Sequence, residues 1–316
     1  MLVSICVITF NRPNGLARLL AGLNRLTFQN METPDIEVVV VDNDTKGVAQ
    51  KVCDGFQADF KWSLKTGVEP QRGISYARNT VVNSASKQAD FIAILDDDEV
   101  PCANWLEELL SAQKKYAVDI VTGPVVAEFP EDIDVPNWII QGKFFNQPRY
   151  DTGEIRPVAF TNNVLIRGEI VRKLDYVFDN RFALTGGEDS EFFQRLTAMG
   201  HKIVWSDEAI VEELISPHRM NLLWILKTNY RCWATHSLLE DDSTNVFNSF
   251  LLKVIRLIKG LILIVLGFLK LLSGLFVGKH MLAIALLSIS RGIGTFSGLF
   301  KFSNYQLYQG AADVVE

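Results

Sequence analysis

Four consecutive acids, Asp96-Asp97-Asp98-Glu99, directly follow the apolar run Phe91-Ile92-Ala93-Ile94-Leu95. Carboxylates this close repel one another unless a cation sits among them, so the cluster points to a divalent metal. Oxygen ligands point to manganese or magnesium. The competing account is an exposed acidic turn capping the helix that follows. Two other apolar runs also end in polar residues: Phe10-Asn11-Arg12 follows the first, and Asp42-Asn43-Asp44 follows the second. A carboxylate just past a strand can accept from an imide or a hydroxyl, and an arginine offers a planar fork to phosphate. An isolated Asp in such a place is often only a turn residue.

These positions acquire meaning from the elements that carry them. Leu2 to Phe10 is β-rich and nearly continuous in apolar residues, as expected for a parallel strand covered on both faces. Asn11-Arg12-Pro13 interrupts it after about ten residues, too few for a signal sequence. A helix with Leu16, Leu19, Leu20 and Leu23 on one side leads to a second strand, Ile36 to Val41. The pattern repeats with a short strand near Phe60-Lys61-Trp62, a helix from about Gly73 through Arg78, and the strand Phe91 to Leu95. A helix at Trp105 to Leu110 and a strand at Ile120 to Val126 follow, and the Pro- and aromatic-rich residues 128–160 read as loops and an edge hairpin. This alternation predicts an α/β fold with a mostly parallel, doubly wound sheet flanked by helices. Ligands in such sheets bind beyond the carboxyl ends of the strands, where the acids lie.

From about Val3 to about Trp233 the chain resembles a family 2 glycosyltransferase with the GT-A fold. Val3-Ser4-Ile5-Cys6-Val7-Ile8-Thr9-Phe10-Asn11-Arg12 is similar to that family's first strand and loop, and Val39-Val40-Val41-Asp42-Asn43 to its second. Gly73-Ile74-Ser75-Tyr76-Ala77-Arg78-Asn79 resembles the segment lying against the donor nucleotide. Leu95-Asp96-Asp97-Asp98 resembles the D-x-D region, and Gly186-Gly187-Glu188-Asp189 the motif carrying the catalytic base.

The resemblance implies a nucleotide-sugar donor, with uridine the favoured nucleoside, bordered by Thr9, Asn11 and Arg12. It implies that Asp42 accepts from uracil or ribose and that Arg78 pairs with donor phosphate or base; Lys46, Gln71 and Arg72 are nearby alternatives. Asp98 would bind the metal directly, Asp96 would orient ribose or a metal-bound water or itself bind metal, and Asp97 would border the donor or face solvent. His218 would contact metal or leaving diphosphate. Asp189 would be the general base that deprotonates the acceptor, with Glu188 as its substitute; Asp189 is also well placed as a helix cap. Asn162 and Asn163 would shape the acceptor side, and Trp138, Trp205, Trp224 and Trp233 are either sugar platforms or core. Arg219 and Arg231 would meet acceptor phosphate.

The 316 residues are 48% hydrophobic and carry a net charge of −6. Disorder and a disulfide miniprotein are excluded, and Cys6, Cys53, Cys102 and Cys232 include no C-x-x-C pair that would suggest a zinc ribbon. Charge is unevenly placed. Residues 246–301 hold Lys253, Arg256, Lys259, Lys270, Lys279, Arg291 and Lys301 and no acid, so the preceding body is strongly acidic. Such a body repels nucleic acid, whereas the basic, apolar tail suits an anionic membrane surface. Lys253, Arg256, Lys259 and Lys270 fall on one helix face, as in an interfacial helix over 246–273 with a second interfacial or re-entrant helix over 281–300; a two-span hairpin is the competing arrangement.

The expectation is a catalytic domain over 1–235 and a helical, membrane-associating region over 236–316. The function expected is inverting, metal-dependent transfer to a membrane-borne acceptor, such as a polyprenyl-diphosphate-linked saccharide in envelope or exopolysaccharide assembly, on the cytoplasmic face of the inner membrane. An oligomer is compatible with the sequence. Transfer to polyprenyl phosphate itself and a noncatalytic membrane scaffold are the alternatives; Q-x-x-R-W, a mark of processive synthases, does not occur.

Overall fold

The computed structural model describes residues 1–242 and 246–300. Lys301 and the residues after it lie outside them. In chain order the elements are β1 Leu2–Thr9, α1 Pro13–Asn24, β2 Asp35–Asp42, α2 Val48–Phe56, β3 Ser63–Val68, α3 Ile74–Ser84 and β4 Phe91–Asp96. Then come β5 Glu99–Pro101, α4 Trp105–Tyr116, β6 Ile120–Thr122, β7 Val125–Glu128, α5 Asn137–Gly142, β8 Ile155–Arg156 and β9 Asn163–Arg167. The last elements are α6 Gly168–Arg172, α7 Glu188–Ala198, β10 Ile203–Trp205, β11 Val211–Leu214, α8 Leu222–Asp242, α9 Val246–Val277 and α10 Lys279–Leu299.

Among the described residues the chain forms two compact units, one of Met1–Glu128 and Gln147–Leu214, the other of Phe129–Asn146, 215–242 and 246–300. Residue 235, the boundary read from the sequence, falls inside α8, whose helical backbone offers no break there.

In the first unit an eight-stranded sheet runs β3-β2-β1-β4-β9-β6-β10-β8, beside a smaller sheet β5-β11-β7. β3, β2, β1 and β4 are parallel, and β9 runs antiparallel to both β4 and β6, so the sheet is mixed. Leu16, Leu19, Leu20 and Leu23 of α1 are fully buried with Trp105 against one face of the sheet, and Val81, Phe192, Phe193 and Leu196 fill the other. Each such aliphatic side chain contributes roughly 1.5–3 kcal/mol on burial.

The third strand begins later than residues 60–62 because Trp62 is held before it, its indole N–H donating to the Leu23 carbonyl at 2.8 Å and its ring edge-on to Phe28. The strand expected over 120–126 is broken at Gly123-Pro124, and its halves join different sheets. A Cβ on Gly123 would lie 2.4 Å from the Ala209 carbonyl oxygen, so only glycine permits the crossing.

In the second unit α10 packs against both α8 and α9. Residues Phe250–Val277 and Lys279–Leu299 are each long and apolar enough to cross a membrane.

Candidate active site

Strand register sets the first part of the site. Thr9 pairs with Asp42 across β1 and β2, and Ile8 pairs with Asp96 across β1 and β4, so three chain segments end on one edge of the parallel sheet. Asn11 turns the chain there with a left-handed backbone, φ 52°, which asparagine tolerates better than most residues.

The acids meet two arginines. Thr9 Oγ1 donates to Asp97 Oδ2 at 2.7 Å, while Arg12 Nη1 donates to Asp97 Oδ1 at 2.9 Å and to Asp98 Oδ2 at 3.0 Å. Asp97, read from the sequence as bordering the donor or facing solvent, is thus the most enclosed of the three, its side chain 6% exposed against 19% for Asp98 and 33% for Asp96. The reason is tertiary: β1 and its loop supply both of its partners. Burial pushes its carboxyl up to about 7 despite Arg12. Glu99 is buried too, accepting from the Asp96 amide at 2.9 Å, and desolvation with its acidic neighbours raises it well above the usual range. Sequence gave Glu99 no role beyond membership of the acidic run; its place at the start of β5, paired with β11, is what encloses it.

Arg78 forms the second node. α3 begins where Gly73, at φ 143°, donates its amide to Asn43 Oδ1 at 2.9 Å and Ile74 donates to the Ala183 carbonyl at 2.9 Å. Asn43 also donates to the carbonyls of Glu69 and Gln71, so one asparagine after β2 shapes the whole turn before α3, a task its sequence motif did not reveal. One turn into the helix, the buried Arg78 donates from Nη2 to Asp96 at 3.1 Å and from Nη1 to Glu188 Oε1.

Glu188 and Asp189 open α7 after Gly186 and Gly187, whose φ of 74° and 96° place them in the left-handed region. Glu188 is 2% exposed; its Oε2 has no hydrogen-bond partner among the described residues. Desolvation outweighs Arg78 and pushes its carboxyl up to about 7. Asp189 is half-buried, and its Oδ1 accepts from the Ser190 amide at 2.6 Å and from Ser190 Oγ at 3.3 Å.

Other expected residues stand elsewhere. Asp42 is 2% exposed and accepts from the amides of Asp44 and Ala49, anchoring the start of α2, so any nucleotide contact would share oxygens already bonded. Burial raises its carboxyl above the ordinary value. Arg72 stacks its guanidinium over Phe10 at 3.5 Å, and Lys46 pairs with Asp44. Asn163 is buried and bonded to Trp105 and to the carbonyls of Pro124 and Ala209, a core role rather than an acceptor-side one; Asn162 is half-buried. Trp205 is buried edge-on to Tyr150, which makes it core.

Trp138, Trp224, Trp233 and His218 belong to the second unit, where His218 Nδ1 lies 2.7 Å from Ser216 Oγ. Among the described residues no three His, Cys, Asp or Glu side chains form a metal cage. Asp96 and Asp98 nevertheless keep partly exposed oxygens, and a hard cation of this kind is commonly held by one or two carboxylates completed by substrate phosphates.

The model of the family described as glycosyl transferase family 2 matches residues 4–174. The succinoglycan biosynthesis protein ExoM of Rhizobium meliloti (strain 1021) is 32% identical over 244 residues, covering 77% of this chain and 76% of ExoM. Glycosyltransferase AglE of Haloferax volcanii is 27% identical over 209 residues, 66% of this chain and 65% of AglE. The mannosyltransferase PcManGT from Pyrobaculum calidifontis, solved with GDP-Man and Mn2+, shares the fold at a TM-score of 0.64 with 17% identity, covering 95% of this chain and 88% of that one. S. aureus TarS 1-349, solved in complex with UDP, superposes at 0.51 with 16% identity, covering 97% and 93%.

Proposed function

The chain belongs to glycosyl transferase family 2 and is a glycosyltransferase, and we propose that it moves a sugar, with inversion, from a uridine-diphosphate donor to a lipid-linked saccharide in polysaccharide assembly. The observation that carries this is the Arg78 bridge, which ties the acidic end of β4 to the acids opening α7 and so holds a donor-phosphate edge and a proton acceptor in one framework.

Asp96 and Asp98, with Asp97 and Arg12 behind them, form the edge that receives the donor diphosphate. Manganese or magnesium held there by Asp96 and Asp98 would neutralise charge on the departing diphosphate. Asp189 is the base: an oxygen of its carboxylate takes the acceptor hydroxyl proton as that hydroxyl attacks the anomeric carbon, and the carbon–oxygen bond to the diphosphate breaks with its electron pair leaving on the phosphate. A single displacement of this kind inverts the anomeric centre. Thr9, Asn11 and Arg12 border the base and ribose. The polysaccharide role rests on the likeness to ExoM, the donor class on that to TarS, which is solved with UDP, and the metal on that to PcManGT, solved with Mn2+.

The membrane-borne acceptor is supported by α9 and α10, which would attach the enzyme to the cytoplasmic face of a membrane. The test is transfer from a panel of UDP-, GDP- and dTDP-sugars by membrane-reconstituted protein, with manganese or magnesium against EDTA, onto soluble and lipid-linked acceptors. Turnover of one donor, stronger with the lipid-linked acceptor, is expected; efficient glycosylation of soluble sugars with no gain from lipid linkage would defeat the acceptor assignment.

A further inference from the structure

The helical unit carries a cation that the transfer reaction leaves unexplained. Arg291 sits in α10, in a stretch from 246 to 299 that contains no acid. It is partly buried; its Nε donates to Asn229 Oδ1 on α8 at 3.0 Å, and its guanidinium lies 5.9 Å from the Trp233 ring. Asn229 is itself oriented, its Nδ2 donating to the Ile225 carbonyl at 3.0 Å. No carboxylate pairs with Arg291 among the described residues, so both Nη nitrogens are available as the fork that grips phosphate. A half-buried guanidinium in an apolar helix is costly without an anion.

Register within the unit fixes its depth. Gly260 of α9 faces Gly292 and Thr295 of α10, Gly267 faces Ala285 and Ile289, and Gly274 faces Leu282, so the two helices run antiparallel. Arg291 is therefore level with Gly260–Ile264 of α9, about one turn from Lys259 and two to three turns from Arg256 and Lys253. From there to the turn at Gly278, α9 has one charge, Lys270, over residues 261–277, a rise of roughly 25 Å at helical geometry. That length approaches the hydrocarbon thickness of a bilayer, and along it Leu272, Leu275 and Phe276 are 64%, 71% and 91% exposed. Lys259, with Arg256 and Lys253 beyond it, thus marks where an inserted hairpin meets the head groups, and Arg291 sits about one turn inside that level, within reach of a phosphate there.

We infer that Arg291, held by Asn229 beside Trp233, is a binding site for a lipid-borne phosphate at the head-group end of the α9–α10 hairpin. The inference rests on the membrane reading above. Small residues let the helices close around it: a Cβ on Gly294 would lie 2.3 Å from the Tyr230 carbonyl oxygen, and Tyr230 Oη lies 2.6 Å from Ser297 Oγ. Dense packing of α8 on α10 holds the guanidinium in place before the phosphate arrives.

The test uses the full chain and its Arg291→Gln, Arg291→Lys and Asn229→Ala variants, with binding followed by co-flotation and by tryptophan fluorescence. Vesicles are of phosphatidylcholine alone, or doped with phosphatidic acid or with a polyprenyl diphosphate. Wild type is expected to bind at least one doped vesicle roughly tenfold more tightly than the plain one, about the effect of one charge-assisted phosphate contact. Arg291→Gln should lose that gain while keeping its binding to plain vesicles, Asn229→Ala should lose part of it, and Arg291→Lys should keep part. A gain confined to the polyprenyl diphosphate identifies the acceptor's diphosphate as the ligand; a gain with phosphatidic acid identifies a general head group. A full gain in Arg291→Gln, or none in wild type, overturns the site. Failure of wild type to float with any vesicle overturns the membrane reading instead, and the site with it.

Discussion

Glu188 and Asp189 are adjacent in the chain and opposite in circumstance. Among the described residues, Glu188 is buried against Arg78 with one oxygen unmatched, whereas Asp189 is half-buried and bonded only within its own helical turn, to Ser190. Of the two, Asp189 is the more open to solvent, which fits the proposed base, and Glu188 is the one paired with Arg78.

Asp189→Asn keeps the oxygen that accepts from Ser190 and removes the proton acceptor. Single-turnover transfer should fall by about 10²–10⁴, the usual contribution of a positioned base. Donor affinity and thermal stability should change little. Equal activity in the variant would remove Asp189 from the mechanism.

Because burial raises the Glu188 carboxyl to about 7, the folded chain holds that proton more tightly than the unfolded chain does. Between about pH 4.5 and 7 the folded state therefore binds more protons, and this group's contribution to stability declines as pH rises through that window. Glu188→Gln cannot ionise, so its stability relative to wild type should improve between pH 5 and pH 8, by up to about 3 kcal/mol. Denaturant melts at the two pH values measure it, and parallel curves would contradict the assignment.

Arg78→Ala strands the Glu188 and Asp96 carboxylates at the end of the sheet. Breaking one partner of a buried pair costs about 3–5 kcal/mol, and most of that is the charge left behind. The double variant Arg78→Ala/Glu188→Leu should accordingly be more stable than Arg78→Ala alone, while both lack activity. A double-mutant cycle by chemical unfolding tests this order.

Asp98 is the more exposed of the two Arg12-paired acids. EDTA should abolish transfer, and manganese or magnesium should restore it. In Asp98→Asn the metal concentration giving half-maximal activity should rise about tenfold or more, with the circular dichroism spectrum unchanged. A wild type indifferent to EDTA would remove the metal from the reaction.

Two glycines make a contrast in sign. Nothing lies within 4 Å of a Cβ built on Gly55 in α2, so Gly55→Ala should stabilise by roughly 0.5–1 kcal/mol. On Gly294 the same atom collides with the Tyr230 backbone, and Gly294→Ala should destabilise by about 1–3 kcal/mol. Thermal melts of the two variants decide whether α8 and α10 are packed as tightly as described.

By itself the sequence determined that parallel strands end near Phe10, Val41 and Leu95 with Asn11, Asp42 and Asp96 just beyond them, because continuous apolar runs followed by polar residues admit few other arrangements in an α/β chain. The α1 leucines were legible for the same reason, since helical spacing alone puts them on one face. It determined as well that the chain carries two long apolar helices with an unbalanced basic charge.

What it left open was the state of each acid. Asp97 is enclosed because β1 and its loop bring Thr9 and Arg12 to it across 88 and 85 positions, and Glu188 is buried because α3 supplies Arg78 across 110. Asn163 could be placed in the core only once Trp105, Pro124 and Ala209 had converged on it. Exposure, pairing and protonation are properties of the surroundings of a side chain, and those surroundings come from segments far apart in the chain; residue type and spacing fix which groups are present, and only packing decides which of them remain open to a substrate.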